Sequence, residues 1–342
     1  MSTSIWREDS DNEVNKIKAL ALLSGGLDSM LAVKLILDQG VDVEAVNFMT
    51  PFCLCDRCSL SRFAEELSIK VHSIFLGQEF LDIVVNPPHG YGSQMNPCVD
   101  CRILMLKKAK ELAEKIRADF IITGEVLDER PFSQRKDTMF LIEREAGLER
   151  KILRPLSAKL LLESEPERKG LVDRDKLSAI RGRRRFPQME LARKLGIRDY
   201  PCPSGGCLLT DPRFAQRLRE HLQYEKILKL EDIALLRIGR HFRIDTVKII
   251  VGRNMEENNR LLTIAKSRKI PYLEVVDHKG PITLYMGKEN PNLIEKAAAI
   301  DVRYSDAPKD APVKVMYRGR TEKVLEIKVA SIENKELEKL RV

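Results

Sequence analysis

The chain has 342 residues, of which 43% are hydrophobic and 32% charged, and a formal net charge of +8 at pH 7. The composition excludes a fibrous or disordered chain, the length points to two domains or one domain with a large appendage, and no apolar run approaches the ~20 residues of a membrane helix. The stretch before Ile17 is polar and acidic, without the basic start and apolar core of a signal peptide, so the expected compartment is the cytoplasm with no membrane anchor.

In chain order, residues 17–23 form an apolar run that predicts a strand. It ends in the turn Ser24-Gly25-Gly26, and residues 29–39 then carry apolar positions at helical spacing. The pattern recurs: strand over 41–48, helix over 59–68, strand over 71–76, a strongly amphipathic helix over 102–116 and a short buried strand over 120–124. Alternating β and α elements predict a parallel sheet covered by helices on both faces, with ligands at the carboxyl ends of its strands. After Pro155 the alternation stops, and 163–170 reads as a loop. Residues 166–222 hold 14 Lys and Arg against 7 Asp and Glu, so the positive charge is regional and centres on Arg181 to Arg185. Such a region suits a phosphate backbone or a merely solvated surface, and charge alone does not choose. A smaller α+β unit follows, with strands over 243–251, 272–276, 282–286, 313–317 and 323–329 and a helix over 256–267. The resulting division is a flexible N-terminal segment 1–16, a nucleotide-binding domain 17–165, a basic extension 166–224 and a C-terminal α+β domain 225–342.

The turn Ser24-Gly25-Gly26-Leu27-Asp28-Ser29 carries the clearest chemistry. Two glycines between a buried strand and a helix bring backbone N–H groups against an anion, and the helix dipole adds to the attraction. Ser24 and Ser29 can donate to phosphate oxygens, and Asp28 is placed to hold Mg2+. An ordinary βα turn needs the glycine but not Ser, Asp and Ser at these offsets.

This hexapeptide resembles the SGGxDS signature of the PP-loop ATPases, or N-type ATP pyrophosphatases. The resemblance implies an adenine nucleotide alpha hydrolase-like fold, binding of ATP and Mg2+, and adenylation of a carbonyl or carboxylate oxygen with release of pyrophosphate. Asn47 and Phe48, at the end of the second strand, join Ser24 to Ser29 as expected nucleotide contacts. Thr123-Gly124-Glu125-Val126-Leu127 with Pro131-Phe132-Ser133-Gln134 resembles the TGExLGQxxSQ segment of the tRNA 4-thiouridine synthetases, which adds Thr123, Gly124 and Gln134 to that set. Asp128 and Glu129 stand where that segment has Gly-Gln.

Seven cysteines lie at 53, 55, 58, 98, 101, 202 and 207, an odd number at short spacings that argues against a disulfide framework. Cys98 and Cys101 directly precede a predicted helix, where a lowered thiol pKa is expected. With Cys207 they make three ligands for a metal site; a zinc site, a redox pair and inert buried thiols are the alternatives. The Asn96-Pro97-Cys98 segment with a distant cysteine resembles the tRNA 2-thiouridylases. That resemblance implies a 4Fe-4S cluster on Cys98, Cys101 and Cys207, or in a persulfide mechanism acceptor and resolving roles for Cys101 and Cys207. Asp28, Cys98, Cys101 and Cys207 are accordingly the expected catalytic residues. Cys202 is a second choice of third ligand, and Cys53, Cys55 and Cys58 keep an open role.

Residues 249–258, with Gly252-Arg253-Asn254 and Asn258, resemble the NFACT-R RNA-binding domain, which implies a guanidinium and two amides offered to RNA at a helix start. A turn with Asn254 as helix cap is the structural alternative. The five histidines, at 72, 89, 221, 241 and 278, show no ligand spacing and are assigned no chemistry. The combined expectation is ATP-dependent tRNA thiolation, with tRNA and a sulfur donor (sulfide or a cysteine-desulfurase-derived persulfide) as partners and a homodimer compatible with the chain. The alternatives are a PP-loop amidating enzyme for a small molecule and a nucleotide-regulated RNA-binding factor without catalysis.

Overall fold

The computed structural model describes residues 6–7, 15–53, 57–200, 206–321 and 324–342, with the side chains of 6, 7, 15 and 57–59 not described. Most of the segment 1–16, Cys55 and Cys202 therefore lie outside the described residues. The chain divides into two compact units, 1–211 and 212–342.

In the first unit, Trp6–Arg7 (β1) pairs antiparallel with Asn15–Lys16 (β2). Lys18–Leu22 (β3), Asp42–Met49 (β4), Val71–Phe75 (β5), Phe120–Thr123 (β6) and Ile152–Leu153 (β7) form a five-stranded sheet in the order β5-β4-β3-β6-β7. Every pairing in it is parallel. Its helices are Leu27–Leu37 (α1), Arg57–Glu66 (α2), Gln78–Val85 (α3), Cys98–Ile116 (α4), Lys136–Ala146 (α5), the single turn Glu165–Arg168 (α6) and Phe186–Lys194 (α7).

The period of two along β3 sends Ala19, Ala21 and Leu23 to a core shared with Met30, Val33 and Ile36 of α1 and with Leu60 and Phe63 of the α2 region. Leu20 and Leu22 point the other way, onto Ile103, Leu106 and Ala109 of α4 and Ile142 of α5. Both faces are thus covered, which is why the central strands read as continuous apolar runs. The chain leaves β3 toward β4 on one side and returns to β6 on the other. The switch in strand order lies between β3 and β6, where open α/β sheets form their ligand crevice.

The basic extension packs onto this unit. Leu171, Val172 and Leu177 enter the α1 core, and Leu191, Ala192 and Leu195 pack with Leu27, Leu31 and Leu35 of α1. The expected loop over 163–170 contains the short α6, closed by a capping box between Ser164 and Glu167.

The second unit starts earlier than composition suggested, with the helix Pro212–Tyr224 (α8), followed by Leu230–Leu236 (α9). The expected strand 243–251 is two strands, Arg240–Ile244 (β8) and Val247–Val251 (β9), joined by a tight turn with Asp245 at φ 52°. After the helix Met255–Arg268 (α10) come Tyr272–Val275 (β10) and Thr283–Met286 (β11), then the helix Pro291–Arg303 (α11). Val313–Arg318 (β12), Val324–Val329 (β13) and the helix Asn334–Leu340 (α12) complete the unit. The sheet runs β13-β12-β10-β11-β9-β8, antiparallel throughout. Ile294, Ala297 and Ala298 of α11 pack on one face, and Leu235, Leu261 and Ala265 on the other. Every residue of β9 is consequently buried.

Candidate functional site: a phosphate loop beside three free thiols

β3 delivers Leu23 to the sheet edge, and the loop turns at Gly25, whose φ of 82° is costly for any residue with a Cβ. Gly26 is the N-cap of α1, so the first N–H groups of α1 point into the loop. The Ser29 hydroxyl donates to the Gly26 carbonyl at 2.7 Å and lies 3.3 Å from the Ser24 hydroxyl. Leu27 is fully buried in the α1–α7 core, so only its backbone can face a ligand. Asp28 is half-buried, and its Oδ1 has no hydrogen-bond partner among the described residues. Burial pushes the Asp28 carboxyl up, while Arg185, the Gln188 amide and Arg130 work to keep it ionised.

Gly124 explains how β6 meets this loop. A Cβ there would stand 2.5 Å from Ser29 N and 2.6 Å from Asp28 C. The two segments touch through bare backbone. Asn47 is buried and spends its amide on the Leu23 carbonyl at 2.9 Å, holding the strand end that precedes the loop. Phe48 packs against the α4 face of the sheet. The Thr123 hydroxyl donates to Glu125 at 3.3 Å. The buried Gln134 accepts from Arg130 N at 2.9 Å through its side chain and from Asp128 N at 2.8 Å through its carbonyl, closing the 128–134 loop. Asp128 sits at φ 61°, a conformation that suits the glycine of the related motif, and its carboxylate takes Arg181 Nε at 2.6 Å. Ser157 ties the same loop to the extension, accepting from Leu127 N at 2.9 Å and donating to Ile180 O at 2.7 Å. The basic segment is thereby fixed to the 127–134 loop.

A buried charge network lies beneath, and sequence reasoning missed it. The Arg154 guanidinium donates to Glu125 at 3.0 Å and also to Glu143, and Arg102 stands 3.4 Å from Glu125. All three partners of the central pairs are almost fully buried. Arg154 and Arg102 hold the Glu125 carboxyl below its ordinary range against the opposing effect of burial. An acidic residue after Thr-Gly and an arginine at the end of β7 were the available signals, but only the fold pairs them.

α4 begins at Cys98, so Cys98 and Cys101 occupy its first turn instead of preceding it. Asn96 donates to Cys98 Sγ at 3.1 Å. Cys207 bridges antiparallel to Cys53, while Leu208 N donates to Phe52 O at 2.9 Å and Met95 N to Leu209 O at 3.2 Å. These bonds bring Cys207 to the two thiols of α4, and all three are free. The expected lowering of the thiol pKa is corrected for Cys101, which is partly open at the surface but deep among protein atoms, so that desolvation pushes it up to about 12; burial likewise pushes Cys207, for which no lowering was expected, up to about 11. Cys53 is disulfide-bonded, against the expectation for the cluster of cysteines. Among the described residues no three His, Cys, Asp or Glu side chains are already drawn together as a metal site.

Three further residues join the site. Arg130 acts electrostatically on both Asp28 and the thiols of Cys101 and Cys207. Asp100, between the two cysteines, accepts from His89 through both ring and backbone, at 2.7 and 3.2 Å, and this pairing raises the His89 pKa. His89 is therefore tied to the cysteine turn, which its lack of sequence spacing had hidden.

In the second unit the expected RNA contacts are partly committed elsewhere. Arg253 is held by Glu257 with contacts of 2.6–3.1 Å, Asn254 caps α10, and Asn258 Oδ1 accepts from Ile282 N at 3.1 Å. The structural alternative for Asn254 holds, because the helix start consumes these groups locally.

The chain thus joins a parallel α/β unit, with a Ser-Gly-Gly loop at the carboxyl end of β3, to a separate α+β unit. Residues 15–159 match the family model described as thiamine biosynthesis protein (ThiI), and residues 239–341 match that of the NFACT protein RNA binding domain. A probable tRNA sulfurtransferase of Geobacillus sp. (strain WCH70) is 32% identical over 146 residues, covering 41% of this chain and 34% of that protein. The tRNA-specific 2-thiouridylase MnmA of Syntrophotalea carbinolica is 32% identical over 120 residues, covering 31% and 33%. A 4-thiouridine synthetase–RNA complex with bound ATP aligns at 20% identity and a TM-score of 0.38, covering 64% of this chain and 52% of that one. The chain spans about a third of the length of the curated relatives it matches. Among the described residues no helix is long and apolar enough to cross a membrane.

Proposed function

We propose that the protein is an ATP-dependent tRNA sulfurtransferase that replaces a uridine carbonyl oxygen with sulfur. The observation that supports this reading best is that Arg130 acts on Asp28 of the Ser24–Ser29 loop and also on the free thiols of Cys101 and Cys207. The matched families and the exposed basic segment support RNA as the acceptor.

The backbone N–H groups at the start of α1 and the hydroxyls of Ser24 and Ser29 bind the ATP phosphates. The unpartnered Asp28 Oδ1 is an oxygen donor that fits Mg2+, which supplies positive charge against the triphosphate. The uridine carbonyl oxygen attacks the α-phosphate; the new P–O bond forms as the α–β bridge breaks and pyrophosphate leaves. Sulfur then adds to the ring carbon, the C–O bond breaks, and AMP departs with the former carbonyl oxygen. Gly124 and Asn47 keep the loop where both steps need it, and Arg130 offers charge to the departing phosphates.

Three free thiols from two segments are the right donor set for a 4Fe-4S cluster, and Cys98, Cys101 and Cys207 would hold it. A cluster with three protein ligands supplies one iron open to sulfide. The sulfur comes from sulfide; if it arrives as a cysteine-desulfurase persulfide, a second thiol attacks that persulfide, closes a disulfide and so releases the outer sulfur at the sulfide level.

The test is mass spectrometry of nucleosides from tRNA incubated anaerobically with protein, ATP, Mg2+ and sulfide. Thiouridine is expected, together with AMP and pyrophosphate, and its loss in each Cys→Ala variant at 98, 101 and 207. Undiminished thiouridine from those variants would remove sulfur transfer by these thiols.

A further inference from the structure

We infer that Gln188 belongs to the phosphate-loop site: it is a positioning residue whose carboxamide sets Asp28 and completes the oxygen face that a divalent cation takes there. The inference rests on the reading that the loop binds ATP with a metal ion, and it adds a residue far outside the loop motif.

α7 lies along α1 through Leu191, Ala192 and Leu195 against Leu27, Leu31 and Leu35. Arg185 and Gln188, at the start of α7, both act on Asp28 in the first turn of α1. Gln188 is 0% exposed on this apolar seam. By distance and angle neither its Nε2 nor its Oε1 closes a full hydrogen bond among the described residues, and the same holds for Asp28 Oδ1, while the amide stays within donating reach of the Asp28 carboxylate and favours that form.

Burying a polar group without full satisfaction is costly, and a leucine of similar volume would pack on Leu27 and Leu31 without that cost. A residue with only a packing role gives no reason to bear it; a ligand that satisfies the amide does. The chemistry selects the ligand. Gln188 Oε1 and Asp28 Oδ1 are two uncommitted oxygen acceptors, the donor type that magnesium and manganese prefer. Gln188 Nε2 can only donate, to the second Asp28 oxygen or to a phosphate oxygen. Arg185, one residue before α7, brings positive charge to the same carboxylate.

The test uses Mn2+ as a paramagnetic probe with an α,β-methylene ATP analogue on the full chain, followed by electron paramagnetic resonance, without tRNA or sulfur. Gln188→Leu is expected to weaken Mn2+ binding about tenfold or more while leaving the melting temperature equal or higher. Gln188→Glu, which keeps an oxygen donor and adds charge, is expected to bind Mn2+ at least as tightly as the unsubstituted protein. If Gln188→Leu melts early, the glutamate variant decides: retained or tighter binding supports the inference, and a loss matching that of the leucine variant overturns it. Tight binding by the unsubstituted protein that Gln188→Leu leaves unchanged overturns the role of Gln188 alone. Absence of nucleotide–Mn2+ binding in the unsubstituted protein overturns the ATP reading with it.

Discussion

Replacing Gly124 by alanine tests whether the contact between β6 and the phosphate loop is as tight as its geometry says. The added methyl group would stand 2.5 Å from Ser29 N and 2.6 Å from both Ser29 Cα and Asp28 C, where contact becomes ordinary only from 3.4 Å. The obstacles are backbone atoms, so no rotamer change relieves the overlap, and the start of α1 must move by about 0.9 Å relative to β6. Overpacking of this kind costs about 1–3 kcal/mol of stability. The functional effect is larger, because a displacement near 1 Å in a group that positions a reacting phosphate costs on the order of 10²-fold in rate. Urea unfolding, calorimetric titration with a non-hydrolysable ATP analogue and ATP-dependent AMP release read the three consequences. The reasoning is refuted if Gly124→Ala binds the analogue and releases AMP as the unsubstituted protein does.

Two further perturbations address the scaffold of each unit. Arg154→Met leaves Glu125 and Glu143 buried without their main partner and is expected to cost about 3–5 kcal/mol in urea unfolding, monitored by circular dichroism; a loss below about 1 kcal/mol contradicts the buried network. In the second unit, burial pushes the Asp301 carboxyl up to about 7 from 3.8, with the Thr283 hydroxyl as its partner. The folded state therefore holds this proton more tightly than the unfolded chain. The stabilisation is full below about pH 3.8 and is lost as pH rises through about 7. Asp301→Asn is expected to flatten this dependence and to raise stability above pH 7 by roughly 2–4 kcal/mol, and parallel pH–stability curves for the two proteins would contradict it.

The local signals in the sequence had enough reach to define β3, the Ser24–Ser29 turn and α1, because strand periodicity, glycine placement and the helix start are all written within about twenty residues. The same holds for β6 and for α10, whose start at Asn254 is a local capping device. Boundaries that depend on partners were less legible. The strand expected over 243–251 is a hairpin because Asp245 accepts a positive φ, and its uniform apolar half is buried by helices on both faces of the sheet. Several helices, among them α5, α8 and α11, were not read from the sequence at all.

The sequence by itself determined the residue types: a Ser-Gly-Gly turn between strand and helix, thiols at 98, 101 and 207, and a concentration of arginines near 181–185. Only the tertiary structure decided how those types behave. Burial at Cys101 overrides the helix dipole that residue order alone suggested, because desolvation depends on atoms from distant segments. The same long-range packing ties Arg181 to Asp128 and carries Gln188 from a remote helix to Asp28. Spacing along a chain encodes which groups share a helix face or a strand face; which groups share a pocket is set by the order in which strands join the sheet.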